Sequence, residues 1–591
     1  MSRLSLASLA IVLPAIFAGC QSKEPIEDNL PRQQRAQSEQ LEANPSKGLL
    51  DDLDLTASDD SGSPVRQSRI RFVDVHAESG LNFVFDNGAS DQKLMPESTS
   101  CGAGWVDFDK DGRPDLYFAQ GGDSGATGWS EQPVDQLYRN LDSQRFEKVT
   151  NQAALTDSAF GHGVCVGDYN NDGFDDVFVS NVGLDALYEN MGDGTFCEVT
   201  KPAKIDNFLW AASAAWGDLD LDGDLDLFVC NYVDYNPLQP IACFDKDGSA
   251  GTCHPSDVNP VPNKAYFNQG DGTFREESQE RGLLGPGSKS LGVVIADFTG
   301  DFLPDVYVAN DTEANHMFVN QGEGRFEENA VVLGCAMGQN GEAQASMGIA
   351  YGDYDRNGFP DLYVAHFTTD SNTLYQNLGE VGFTDATRGT GLHLPTLDYL
   401  AFGTVMSDID LNGWQDLFVT NGHIDDWREI KGDYWKMRSQ MFSFHEGHWQ
   451  DCSETAGLYF QKKRLGRAVA AADYDDDGDL DILVVNQNDP VGLLRNDSQK
   501  GHGIRVRFIG ESSNRNGIGA EVTMQQNDLI LVSQLPGGSS YAASNELVLT
   551  FGLGDSDAPC RASVRWPSGR QQRIENIEVD SSLIFYERDA K

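Results

Sequence analysis

At 591 residues, 39% of them hydrophobic, the chain exceeds one ordinary domain and carries enough apolar side chains for substantial cores. The 92 acidic residues against 43 basic ones leave a formal charge of −49 at pH 7. That charge repels nucleic acid and anionic lipid surfaces, so cations are the natural partners.

At the N-terminus, Arg3 precedes an apolar run from Leu4 to Phe17, then Ala18, Gly19 and Cys20. The run is too short to span a bilayer and reads as a cleaved leader over 1–19. Small residues before a cysteine resemble the lipobox of bacterial lipoproteins, with Phe17 where that motif usually has Leu, which implies lipidation at Cys20. An ordinary signal peptide is the alternative. Gln21, where an Asp commonly retains lipoproteins at the inner membrane, points to the outer one. Residues 20–66 are rich in Gln, Glu, Asp, Ser and Pro without apolar period, the composition of a solvated tether. No later segment is apolar enough to cross a membrane.

From 67 to 498 one acidic pattern, D-x-[DNT]-x-[DN]-[G/F]-x-x-D followed by an alternating apolar strand, occurs seven times. It begins at Asp107, Asp168, Asp218, Asp297, Asp353, Asp408 and Asp473. An apolar pair followed by x-N comes next, as in LYRN at Leu137 and LYEN at Leu187; the sixth copy is degraded to MFSF at Met441. A Gly-rich turn then leads to an aromatic-led polar strand at Phe146, Phe196, Phe274, Phe326, Phe383 and Trp449. Four antiparallel strands per repeat predict an all-β, seven-bladed propeller. The seventh repeat lacks its last strand, whereas an unpartnered copy, RFVDVHAESGL, stands at Arg71, so the two ends of the ring are expected to pair and cover each other's edges.

Oxygen ligands at positions 1, 3, 5 and 9, with a main-chain carbonyl at 7, suit a hard cation of calcium's size. The first three loops hold Asp107, Asp109, Asp111 and Asp115; Asp168, Asn170, Asp172 and Asp176; and Asp218, Asp220, Asp222 and Asp226. The last three hold Asp353, Asp355, Asn357 and Asp361; Asp408, Asp410, Asn412 and Asp416; and Asp473, Asp475, Asp477 and Asp481. The fourth, DFTGDFLPD, offers Asp297, Asp301 and Asp305 but has Thr299 at position 3 and Phe302 in place of Gly, and is expected to be weakest or empty. Position 12 is Phe118 or Val where calmodulin-type loops need Glu, so these are not EF-hands. Magnesium, which prefers strict octahedral geometry with several waters, suits them less than calcium.

These loops and blades resemble the FG-GAP or VCBS repeats of integrin α-subunit propellers. Beyond Asp497 short strands such as GIRVRFIG and ELVLTFGLG predict a second all-β, sandwich-like domain over 499–591. There NRNGIGAEV, LTFGLGD and VRWPSGRQQ resemble the ASPIC/UnbV domain that accompanies FG-GAP propellers in the cartilage acidic protein family and its bacterial relatives. Trp566, Pro567 and Gly569 read as a packed turn.

Ten cysteines occur without a CxxC pair, which argues against zinc and thioredoxin-like chemistry. Cys243 and Cys253 flank a Gly- and Asp-rich loop and are the expected disulfide; Cys165 and Cys230 read as buried thiols. At the end of each post-loop strand, facing away from the acidic loops, stand Gln120, Asn181, Asn231, Asn310, His366, Asn421 and Asn486. The same face receives the insertions 232–264 and 422–440, the second with His423, Trp427, Tyr434 and Trp435. Amides beside aromatics suit a sugar or peptide; strand-end asparagines also satisfy loop backbone, which is the plainer reading. No Gly-x-Ser-x-Gly elbow, P-loop or HExxH is present. The sequence therefore favours an exported, calcium-binding adhesion protein for a carbohydrate or protein ligand over a calcium-dependent glycosidase or polysaccharide lyase.

Overall fold

The computed structural model describes residues 69–591 apart from 123–132, 245–247, 286, 427, 429–431 and 433. The leader, Cys20, the tether and Trp427 lie outside the described residues. Among the described residues no helix is long and apolar enough to cross a membrane.

Seven sheets of the repeat region carry four strands of the repeat each. Blade 2 shows the plan: Gly161–Gly167 lies innermost, followed outward by Asp176–Asn181, Ala186–Asn190 and Phe196–Glu198. The two inner strands are buried throughout, which is why their sequences are continuously apolar or small. The outermost strands are three residues long in most blades and polar after their leading aromatic, so they make poor templates for pairing with another chain. Each innermost strand packs against the next, and Gly466–Ala472 of blade 7 packs back on Ala103–Val106 of blade 1, closing the ring. Phe72–Asp74 completes blade 7 by pairing antiparallel with Gly492–Asn496. Phe72 stands opposite Asn496 as Phe146 does opposite Asn140.

Close approach of the blades near the axis sets a requirement invisible in the hydrophobic pattern. A Cβ added to Gly163, Gly292 or Gly348 would lie 2.3, 2.2 or 2.1 Å from a carbonyl oxygen of the following blade. Only glycine fits these inner strands.

The asparagine closing each LYxN strand bolts one blade to the one before it. Asn268 Nδ2 donates to Leu225 O in its own blade at 3.2 Å and to Tyr169 O of blade 2 at 2.8 Å, while Gly270 N–H donates to its Oδ1 at 3.1 Å. Asn140, Asn190, Asn320, Asn377 and Asn496 repeat the cross-blade bond to Tyr474, Phe108, Leu219, Phe298 and Ile409. In the degraded sixth copy Phe444 takes the place and packs edge-on against Tyr354 at 5.3 Å. Because the Asn268 amide is buried, Asn268→Ala strands its partners and is expected to cost about 2–3 kcal/mol, measured by urea denaturation. An unchanged midpoint would refute the bolt.

The C-terminal domain packs two sheets, one holding His502–Ile509 between Leu549–Gly554 and Ser581–Tyr586, the other running Leu529–Gln534, Glu521–Gln526, Cys560–Arg565 and Gln571–Ile577. Trp566 is buried edge-on to Phe508 at 5.6 Å, and the Gly569 N–H closes its turn on Trp566 O. This domain is not a separate body: Gln67–Lys591 form one compact unit. One continuous core runs from Trp216 and Phe178 of the blades to Val522 and Phe551. Residues 535–546 leave the domain and enter the propeller axis, where Gly537 bridges Ile295, Ser540 bridges Ile349, and Ala543–Ser544 add a parallel strand to blade 1. Tyr541 reaches a cluster of Met95, Trp210, Leu291, Met347 and Phe402, gathered from the ring and the turn before it. The propeller and the C-terminal domain thus share an apolar core where they meet.

Candidate metal centres

In every blade the acidic loop joins the innermost strand to the second, and the position-9 aspartate opens the second strand. In five blades its carboxylate holds the loop shut from both sides, while Asp115 and Asp416 each keep one oxygen without a partner among the described residues. Asp226 Oδ1 accepts the Asn268 N–H at 2.8 Å and its Oδ2 accepts the Leu219 N–H at 2.9 Å; Asp176, Asp305, Asp361 and Asp481 do the same. The position-1 carboxylate accepts the N–H of position 6, as Gly173 donates to Asp168 at 2.7 Å and Gly413 to Asp408 at 2.6 Å. Position 5 shapes the turn: Asp111, Asp172, Asp222, Asp301, Asn357, Asn412 and Asp477 each accept the position-7 N–H.

The backbone is strained where the loop turns. Position 4 is left-handed in each loop, and apart from Gly300 it is not glycine: Lys110, Asn171, Leu221, Arg356, Leu411 and Asp476 have φ between 52° and 61°. Such conformations persist where the surroundings over-determine them, often at ligand sites.

Positions 1, 3 and 9 converge. Asp107, Asp109 and Asp115; Asp218, Asp220 and Asp226; Asp353, Asp355 and Asp361; Asp408, Asp410 and Asp416; and Asp473, Asp475 and Asp481 each bring carboxylate oxygens within 4.8 Å of one another. Burial, opposed by the Asn140 N–H and reinforced by Asp109, Asp107 and Asp111, pushes the Asp115 carboxyl up to about 9. Burial likewise raises Asp168 and Asp218 to about 7. Oxygens of Asp115, Asp218, Asp220, Asp410, Asp416 and Asp475 are buried without a hydrogen-bond partner. Three converging, desolvated carboxylates with orphaned oxygens fit a divalent cation, which would supply neutralisation and a cross-link between loop and strand.

The loops are not equivalent. In loop 1, Arg139 lies 2.5 Å from Asp109 and 3.2 Å from Asp111, and Arg113 also pairs with Asp111. Arg281 sits 3.2 Å from Asp220 in loop 3, and Lys500 lies 3.0 Å from Asp477 in loop 7. Loop 2 keeps the hydrogen-bond skeleton with Asn170 at position 3. In loop 4 the Thr299 hydroxyl is buried without a partner, and Phe302, at φ 71°, lies beneath the Arg565 guanidinium of the C-terminal domain.

At the other end of the strands, the amides do not form a ligand-reading ring. Asn181, Asn231, Asn310, Asn421 and Asn486 are buried, and their Nδ2 groups donate to Leu184, Pro262, Ala314, Arg438 and Pro490 carbonyls of adjoining loops. Gln120 is spent on Val84 O and the Asp86 N–H. His366 is fully buried, which pushes its ring down to about 3. His423 is buried against Phe367 and Tyr434 and accepts the Asp425 N–H at 3.0 Å. Loop backbone needs donors where strands end, and the asparagine and Gln120 amides meet that need, whereas both ring nitrogens of His366 are buried without a partner among the described residues. Cys243 and Cys253 are joined by a disulfide, and Cys165 and Cys230 are buried thiols.

Fold and loops together define a β-propeller built from acidic-loop repeats, with a β-domain seated on the loop face. The FG-GAP-like repeat family matches residues 107–179, 169–229, 255–308 and 297–364, and the ASPIC and UnbV family matches 510–591, so the chain carries FG-GAP-like repeats and an ASPIC/UnbV domain. It is distantly related to cartilage acidic protein 1: the Homo sapiens protein is 23% identical over 383 residues, covering 59% of this chain and 54% of that one, and the Mus musculus protein 24% over 380, covering 59% and 55%. The chain thus spans about half the length of these curated relatives. Among solved structures, an Agrocybe aegerita lectin that recognises non-reducing terminal N-acetylglucosamine matches at TM-score 0.34 and 15% identity, covering 62% of this chain and 88% of that one. YCF48 bound to D1 peptide matches at TM-score 0.37 and 7% identity, covering 68% and 94%.

Proposed function

We propose that the protein is an exported binding protein, anchored by lipid at Cys20, whose loops hold calcium and whose propeller face opposite the loops captures an extracellular protein or carbohydrate. The observation that carries this reading is which surface stays free. The C-terminal domain sits on the loop face, where it leaves a cavity of about 610 Å³ lined by Asp473, Asp477, Lys500, Arg505 and Asp580, and residues 535–546 enter the axis, so the broad apolar surface that remains lies on the opposite face.

The opposite face bears apolar side chains that the fold itself does not use. Gly183 N–H donates to Leu209 O and Asp185 N–H to Asn207 O, which sets Leu184 and Phe208 side by side, 47% and 68% exposed. Leu238 and Phe244, 63% and 69% exposed, stand on the disulfide-bearing insertion that leaves the same end of the next blade. Exposed large apolar groups on one face are the usual mark of a partner surface. The names of the two relatives, acidic proteins of cartilage, accord with export.

The test is capture of ligands from glycan and extracellular-protein arrays by the full chain and by a Phe208→Asp, Phe244→Asp variant. Burial of one such ring is worth about 1.5–3 kcal/mol, so the variant is expected to bind at least about tenfold more weakly. Equal binding would remove the face from consideration, and cleavage of an arrayed glycan by the purified protein would make it an enzyme.

A further inference from the structure

The C-terminal domain has no sevenfold symmetry, yet it seats itself on equivalent atoms of separate repeats. The backbone N–H of position 1 donates to one of its side chains in three loops. Asp168 donates to Asn516 Oδ1 at 2.7 Å, Asp297 to Gln534 Oε1 at 2.8 Å, and Asp473 to Glu546 Oε2 at 3.2 Å. Two position-1 carboxylates face its arginines as well. Arg505 lies 2.8 Å from Asp473, Arg507 lies 3.4 Å from Asp107, and Glu546 ties the two guanidiniums together. Position 1 is where the chain passes from the inner strand into the loop, so the seat moves whenever the loop does.

We propose that the C-terminal domain is a cation-dependent cap, which closes on the loop face while the loops hold their ions and, on their loss, lets go and withdraws residues 535–546 from the propeller axis. This rests on the calcium reading of the loops. Its physical basis is the crowding of buried carboxylates at positions 1, 3 and 9: without a cation they gain by opening to water, and the position-1 N–H groups are carried out of register with their acceptors. The outer strands are held by their own sheets and by the asparagine bolts, whereas the cap has no bolt of its own and reaches the loops through the position-1 contacts just named, beside the apolar core and plug it shares with the ring. Coupling of this kind is reciprocal, and a docked cap tightens ion binding by the factor by which ions tighten docking.

Hydrogen exchange on the full chain tests the proposal, with calcium present or after chelation and with bound calcium counted by elemental analysis. Gly537 and Ser540 donate their N–H groups to Ile295 O and Ile349 O, so peptides covering 535–546 report plug insertion directly. Chelation is expected to speed their exchange by at least about tenfold while Asp176–Asn181 stays protected, and an Asn516→Ala, Gln534→Ala variant is expected to show faster plug exchange even in calcium and to hold calcium more weakly. Equal plug exchange in demonstrably loaded and stripped protein overturns the cap, as does simultaneous loss of protection in plug and blade strands, which is what a general stabiliser produces. Calcium-exposed protein that carries no ion overturns the reading of the loops along with the cap.

Discussion

Tyr541→Ala is expected to destabilise the whole molecule by about 3–5 kcal/mol, the range for deleting a large buried aromatic side chain. The effect on the propeller arises from a residue outside its repeats. Tyr541 is fully buried at the axis, with its ring 5.1 Å from Phe402 and 5.6 Å from His162, and its hydroxyl donates to Thr99 O at 3.1 Å. Trp210 Nε1 can only donate, and it does so to His162 Nδ1 at 2.8 Å. The imidazole proton is therefore on Nε2, which donates to the Tyr541 hydroxyl at 2.9 Å. Burial pushes His162 down to about 3, so this arrangement holds with a neutral ring across working pH. Alanine removes the packing and strands the His162 N–H; Tyr541→Phe keeps the ring and is expected to cost only about 1–2 kcal/mol. Urea unfolding followed through blade tryptophan fluorescence measures both. A Tyr541→Ala protein within about 1 kcal/mol of the parent would mean that the axis is not a core.

Much of the propeller is legible in the sequence because repetition averages away local ambiguity. The Asp-loop, the LYxN strand and the aromatic-led strand recur in the same order, and the displaced copy at Arg71 gives the closure. The inner strand carries no such mark, because its requirement is closeness: Gly163, Gly292 and Gly348 answer to the carbonyls of a neighbouring blade, which no local pattern reports. The LYxN asparagine was visible as a signature, but its bond across to the preceding blade depends on how blades stack. Strand-end asparagines such as Asn231 look alike as ligand groups and as loop staples, and burial decides for the staple. The plug is the largest surprise. LPGGSSYAASN reads as a turn-rich connection, and its Gly537 and Gly538 do suit a turn; what places Tyr541 at the axis is the docking of a domain on the loop face, a long-range event.

Chelation of calcium from the full chain is expected to lower its Tm more than any single substitution does. Each cation held only by the folded state adds about 2.7 kcal/mol when its free concentration is a hundred times Kd. Five carboxylate triads converge in the described loops. Removal also restores repulsion among buried carboxylates, so the loss is expected to be greatest at low ionic strength and partly recovered in high salt. It is not expected to fall evenly around the ring. Loops 1, 3 and 7 have Arg139, Arg281 and Lys500 to neutralise part of their charge. Among the described residues no basic side chain lies within ion-pair distance of Asp353, Asp355, Asp408 or Asp410, so within the ring, once the cap has let go, blades 5 and 6 are expected to lose protection before the other blades. Site by site, Asp355→Asn is expected to lower the bound calcium by one ion, and Thr299→Val in the fourth loop to leave it unchanged, both read by elemental analysis of dialysed protein. Stripped protein that melts where loaded protein does, with the same count of ions in both variants and the parent, would show that hydrogen bonds and internal cations alone hold the loops.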